Sequence, residues 1–161
     1  MGGGYREGRK SYAAGRDGEA SAAYRADHGT SLDGYYKPRV FISFHVENET
    51  MIDLLRDQAK NSDKLEFTDY SVKEPFDEKW KTQCTERLKQ SSVLICAIGE
   101  DTHSREAVLW EINKAYELGK PVFAVRLHSD KNHKIPQPLI DHKAKIIPWK
   151  LDAIQAELDK L

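Results

Sequence analysis

The chain predicts an α/β fold, and two features carry that prediction. From Arg39 onward, short β-rich runs alternate with segments of helical periodicity. The run SVLICAIG (92–99) is apolar almost throughout, as a central strand covered on both faces must be. RVFISF (39–44) is the first strand. The segment 47–61 follows as a helix with Met51, Leu54, Leu55 and Gln58 at helical spacing and Asn48 as a candidate cap. LEFTD (65–69) is the second strand. Pro75 keeps 70–77 from being helical, and 77–91 is a helix with Trp80, Cys84 and Leu88 at i, i+4 and i+8. After the third strand at 92–99, residues 102–120 form a helix that stops at Gly119, where a left-handed residue closes the last turn. PVFAVRL (121–127) is the fourth strand, 128–138 a polar loop, AKIIPW (144–149) an edge strand marked by Pro148, and 151–161 a closing helix.

Strict alternation requires right-handed crossovers, and therefore a parallel sheet clothed on both faces. The expectation is a flavodoxin-like three-layer sandwich with a five-stranded parallel sheet in the order 2-1-3-4-5. Ligands of such sheets bind beyond the carboxyl ends of the strands, where the order reverses between strands 1 and 3. Residues 44–46, 69–76, 99–104 and the start of the helix that follows gather there.

Composition bounds what the domain does. The 161 residues are enough for one core and no second catalytic domain. With 25 basic and 26 acidic side chains, no broad positive field awaits a nucleic acid or an anionic membrane. Cys84 and Cys96 make neither a disulfide framework nor a zinc spacing, and they read as reduced thiols of a cytoplasmic protein. No signal-peptide core and no membrane-length apolar run is present in the sequence. Residues 1–38 hold eight of the ten glycines and five of the seven tyrosines but no Val, Ile, Phe or Trp, so they cannot build a core. Residues 1–37 are thus expected to be a flexible Gly/Tyr-rich arm, and 38–161 the folded domain.

Several chemistries of α/β sheets fail at the strand ends. No GxxxxGK[ST] follows the first strand and no GxGxxG opens the first helix, which argues against a kinase or a dehydrogenase. The acidic pair of a phosphoacceptor receiver is replaced by Phe44-His45. The six histidines are scattered, with no HExxH, and no metal site is expected. What remains is a carboxylate placed badly for solubility. On the 102–120 helix, Val108, Ile112 and Ala115 define the inward face, with Ala107 and Leu118 at its flank. Glu111 lies on that flank, while Glu106 and Glu117 point outward. A carboxyl group there loses hydration, which raises its pKa unless a partner offsets it. It is either a boundary residue paired with Lys114 or a strand-end donor, or a functional group. Trp110, beside it, is either a contact surface or cover over a neighbouring helix.

RVFISFH at the first strand, DYSVKEPFDEKW after the second, SVLICAIGEDTHS at the third and AVLWEINKAYELGKPV on the following helix resemble the TIR-like family. More narrowly, they are similar to its bacterial branch found in Thoeris-type antiphage defence and in related standalone proteins. The likeness covers about residues 38 to 160. Its most specific part is Trp110-Glu111-Ile112 within S-R-x-A-x-x-W-E-I-x-x-A.

The resemblance implies cleavage of the bond between nicotinamide and ribose in NAD+, in some members followed by closure to a cyclic ADP-ribose isomer that a downstream effector senses. NAD+ is then substrate, and no cofactor is implied. The family's essential glutamate corresponds to Glu111, and the residues shaping its nucleotide pocket to Phe44 and His45. Its mobile loop corresponds to 70–76, with Tyr70, Ser71 and Lys73, and its pocket lining after the third strand to 102–104, with Ser104 toward ribose or phosphate. Because several TIR-type sites are completed on self-association, a homo-oligomer is implied for the active state. Two other readings stay open. One is a non-enzymatic adaptor acting through homotypic contacts of the 70–76 loop and Trp110; the other is a nucleoside deoxyribosyltransferase-like enzyme with a glutamate nucleophile.

Overall fold

The computed structural model describes residues 38–62, 68–69 and 79–161. Residues 1–37, expected to be an arm, and the expected loop with Tyr70, Ser71, Lys73, Pro75 and Phe76 lie outside the described residues. In chain order the elements are β1 (Arg39–Ser43), a 3-10 turn (Val46–Asn48), α1 (Glu49–Lys60), β2 (Thr68–Asp69), α2 (Trp80–Gln90) and β3 (Val93–Ile98). There follow a second 3-10 turn (Thr102–Ser104), α3 (Glu106–Glu117), β4 (Val122–Arg126), α4 (Gln137–Asp141), β5 (Lys145–Pro148) and α5 (Leu151–Leu158). Among the described residues the strands form one sheet in the order β2-β1-β3-β4-β5, and every pairing is parallel.

Strand alternation divides the core into two clusters. Val40, Ile42, Val93, Ile95, Phe123, Val125 and Ile147 pack with Ile52 and Leu55 of α1 and Ile154 and Leu158 of α5. On the opposite face Phe41, Leu94, Cys96, Ile98 and Ala124 pack with Trp80, Cys84 and Leu88 of α2 and Val108, Ile112 and Ala115 of α3. All six residues of β3 are buried, which its continuous apolar run required. Among the described residues no helix is long and apolar enough to cross a membrane.

Four local expectations are corrected. In α1 the inward residues are Ile52 and Leu55, and Leu54 is 49% exposed because it falls on the far side of the helix two residues after Ile52. Asn48 makes no side-chain cap; its Nδ2 donates instead to Thr102 Oγ1 at 3.4 Å. The 102–120 helix is broken, because Arg105 is extended at φ −83° and ψ 120°, so the Thr102–Ser104 turn is separate from α3. The polar loop at 128–138 runs into α4, whose five residues are too short to show a helical period and which buries Pro138 and Leu139. Gly119 does take φ +73° as the residue that closes α3.

Candidate active site

Ser43 is the last residue of β1 and shares the face of Phe41, so its hydroxyl is carried under α2 and α3 with no exposure to water. A buried hydroxyl needs a partner. It finds one in Glu111, whose Oε1 accepts the Ser43 Oγ hydrogen bond at 2.6 Å. Glu111 is in the second turn of α3, between Val108 and Ile112 of the packed face, and is only 7% exposed. Its other oxygen accepts from Cys84 Sγ of α2 at 3.6 Å. Ser43 is in register with Cys96 of β3, so the carboxyl group sits over the carboxyl ends of β1 and β3, where the strand order reverses.

Burial raises the Glu111 carboxyl to about 7, against the pull of the Ser43 and Cys84 hydrogen bonds. Burial, with the Glu111 carboxylate adding to it, also pushes the Cys84 and Cys96 thiols far above their ordinary value. Both are free cysteines. Lys114, one of the two partners expected for Glu111, pairs with Glu117 at 2.8 Å. The other, a strand-end donor, is the one found, and no cation neutralises Glu111 among the described residues. The site therefore offers a single, poorly hydrated carboxyl group that is half ionised near neutrality and oriented by one short hydrogen bond.

His45 lies two residues beyond Ser43 and is also buried. Its Nε2 has no hydrogen-bond partner among the described residues and stands 3.7 Å from the Glu47 carboxylate. Phe44 is not brought to Glu111: its ring is half-buried against the α1/α5 cluster, on the other face of the sheet, with the Arg56 guanidinium carbon 5.6 Å from its centroid. Ser104 is exposed and its hydroxyl donates to the Asp101 carbonyl at 3.1 Å. Tyr70, Ser71 and Lys73 lie outside the described residues. Trp110 is half-buried cover over α2, its ring 5.1 Å from that of Trp80, with the Lys81 and Lys114 ammonium groups 5.8 and 5.6 Å from its centroid.

Sequence reasoning passed over Ser43 and read Cys84 only as core. The signal for Ser43 was present: it is the one polar residue at an inward position of an apolar strand end. Thr102, within the 102–104 segment expected to line the pocket, has a structural part instead. Fully buried, it accepts the Gly99 N–H at 2.9 Å as well as the Asn48 amide, tying the end of β3 to the turn after β1.

No curated protein matches this sequence. Among solved structures, the chain is similar to the CMP N-glycosidase BcmB of Clostridium botulinum, at 16% identity over 76% of this chain and 99% of that one, with a TM-score of 0.47. It is similar at the same identity and TM-score to a putative pilus assembly-related protein of Burkholderia pseudomallei, over 76% of this chain and 87% of that one. A family model described as the TIR-like domain of Thoeris protein ThsB matches residues 41–132. That match is more than half of the chain, it includes Ser43, Cys84 and Glu111, and the chain belongs to the Thoeris ThsB TIR-like domain family.

Proposed function

We propose that this protein cleaves the nicotinamide–ribose bond of NAD+ with Glu111 as its catalytic residue, and that it releases an ADP-ribose-derived signal for a downstream effector in Thoeris-type defence. The observation that carries this reading is a buried carboxyl group, without a cationic partner among the described residues, at the switch point of a TIR-like domain. The reaction asks for little else. Nicotinamide carries its positive charge in the substrate and leaves neutral, so no general acid is needed. What must be stabilised is an oxocarbenium-like ribose, and a carboxylate in a poorly hydrated pocket does that better than one in water.

Glu111 is poised for that role. With its carboxyl near 7, the arrival of a pyridinium favours the ionised form, because an opposite charge nearby lowers a carboxylate's pKa. Ser43 is a positioning residue that holds Oε1 and leaves Oε2 facing Cys84, a weak donor that a ribose hydroxyl can displace. His45 supplies a buried imidazole nitrogen for a ribose or phosphate oxygen. Tyr70, Ser71 and Lys73 are proposed to complete the pocket, and self-association to activate it. Two free buried thiols and a substrate found inside cells suit a cytoplasmic protein.

The test is release of nicotinamide from NAD+ by the purified full chain, alone and under crowding, compared with Glu111→Gln and with melting curves to verify folding. Release by the wild type and its loss in Glu111→Gln is the expected result, and the mass and retention of the product separate hydrolysis from cyclisation. Equal release by both proteins would remove Glu111 from the mechanism. A folded wild type inactive in every condition would favour an adaptor.

A further inference from the structure

A cavity of about 420 Å³ lies over the carboxyl end of β4, within the size range of small-molecule sites. Its wall contains neither Glu111 nor Ser43. It is formed by His103 of the second 3-10 turn, Arg126 at the end of β4, residues 132–135, and Gln137 and Ile140 of α4. Val122 and Ala124 of β4 belong to the α2/α3 cluster, so by alternation Arg126 emerges on that same face. It is two strand spacings from Ser43, on the order of 10 Å across the sheet.

The charge in this wall is one-sided. Arg126, Lys134, His103 and His133 line it, and among the described residues no Asp or Glu does. Arg126 Nη1 donates to the His133 carbonyl at 3.2 Å, which holds the loop in place. Neither Arg126 nor Lys134 has a carboxylate partner among the described residues. His103 Nδ1 is buried and has no hydrogen-bond partner among the described residues. The rest of the wall is apolar in part. Ile135 and Ile140 line it, and Ile140 is 51% exposed, one of three large hydrophobic residues so exposed among the described residues.

We propose that this cavity is a second ligand site that binds a nucleoside phosphate. The phosphate sits on Arg126 and Lys134, and the nucleoside lies against Ile135 and Ile140. Arginine and lysine are the side chains suited to phosphate oxygens, and the isoleucines give the ring system an apolar surface it would otherwise lack. Neither the geometry nor the ligand class depends on NAD+ cleavage at Glu111.

The experiment is calorimetric titration of the full chain with adenosine monophosphate, adenosine and inorganic phosphate, at low and high salt. Adenosine monophosphate is expected to bind more tightly than either fragment, and more weakly as salt rises. Arg126→Gln and Lys134→Gln are each expected to weaken it about tenfold or more, the effect of losing one charge-assisted contact. Lys60→Gln, on α1 across the sheet, serves as a control for bulk charge and is expected to bind as the wild type does. Melting curves verify that each variant is folded. The proposal is overturned by absence of binding, by affinity no better than that for inorganic phosphate, or by a loss in Lys60→Gln equal to that in Arg126→Gln. A loss in Glu111→Gln as large as that in Arg126→Gln would place the phosphate at the other site and overturn it as well.

Discussion

Replacing Glu111 with Gln stabilises the protein at alkaline pH and does little at acid pH. The carboxyl group has an ordinary value of 4.5 and is raised to about 7 in the folded chain. The folded state therefore binds the proton more tightly than the unfolded state. Between these two values ν_N exceeds ν_U, so the free energy of unfolding falls as pH rises. The contribution is fully present below 4.5 and is gone above 7, where the fold must hold an ionised carboxylate out of water. At about 1.4 kcal/mol per pH unit, the gap amounts to about 3.5 kcal/mol in all, of which roughly 2.5 kcal/mol is lost between pH 5 and pH 8.5. Glutamine keeps the size, still accepts the Ser43 hydrogen bond through its carbonyl oxygen and does not titrate. Urea denaturation of both proteins at pH 5 and pH 8.5 measures the difference directly. Relative to the wild type, Glu111→Gln should gain about 2 to 3 kcal/mol on going from the lower to the higher pH, with an unchanged m-value. An identical difference at the two pH values would mean that Glu111 ionises as an exposed carboxylate does, and the account of the site as poorly hydrated would be wrong.

Ser43→Ala removes the main donor to the same carboxylate, raises the Glu111 pKa further and destabilises the fold by about 1–3 kcal/mol, more at pH 8.5 than at pH 5; equal losses in urea titrations at both pH values would contradict the hydrogen-bond assignment. Gly99 has no room for a side chain, since a Cβ there would stand 2.6 Å from the Asn48 amide. Gly99→Ala should destabilise by about 1–3 kcal/mol, and a double-mutant cycle with Asn48→Ala should recover most of that loss if the clash is its cause. Cys84 and Cys96 are buried with raised thiol pKa values, so neither should react with a thiol reagent in the native protein at pH 8, and both should react in urea; rapid labelling of the native protein would show that α2 opens readily.

Much of the architecture was legible because strand and helix periods are local properties of the chain. Trp80, Cys84 and Leu88 on one stripe, the uniformly apolar β3 and the glycine closing α3 all follow from spacing or backbone sterics that neighbours in sequence enforce. Boundaries were less legible where a long-range contact decided them. Asn48 looks like a cap in isolation, yet its amide is claimed by Thr102, 54 residues away. α4 is a single short turn held by burial of Leu139 against the α2/α3 cluster and had no period to reveal it. Trp110 falls on the outer side of its own helix, and only the approach of Trp80 on α2 turns it into cover.

By itself, the sequence determined the class of fold, the parallel order of its strands and the presence of an ill-placed carboxylate at position 111, because hydrophobic period and crossover handedness depend on little beyond chain order. Only the tertiary structure decided what that carboxylate meets. Ser43, Cys84 and Glu111 stand on three different elements, and hydrogen bonds between residues 68 and 27 positions apart leave no periodic trace. The same holds for the cations around Arg126, whose lack of acidic partners among the described residues is a property of three-dimensional neighbours and not of composition: with 25 basic and 26 acidic side chains the chain is nearly balanced as a whole, and folding alone sets which charges face a cavity.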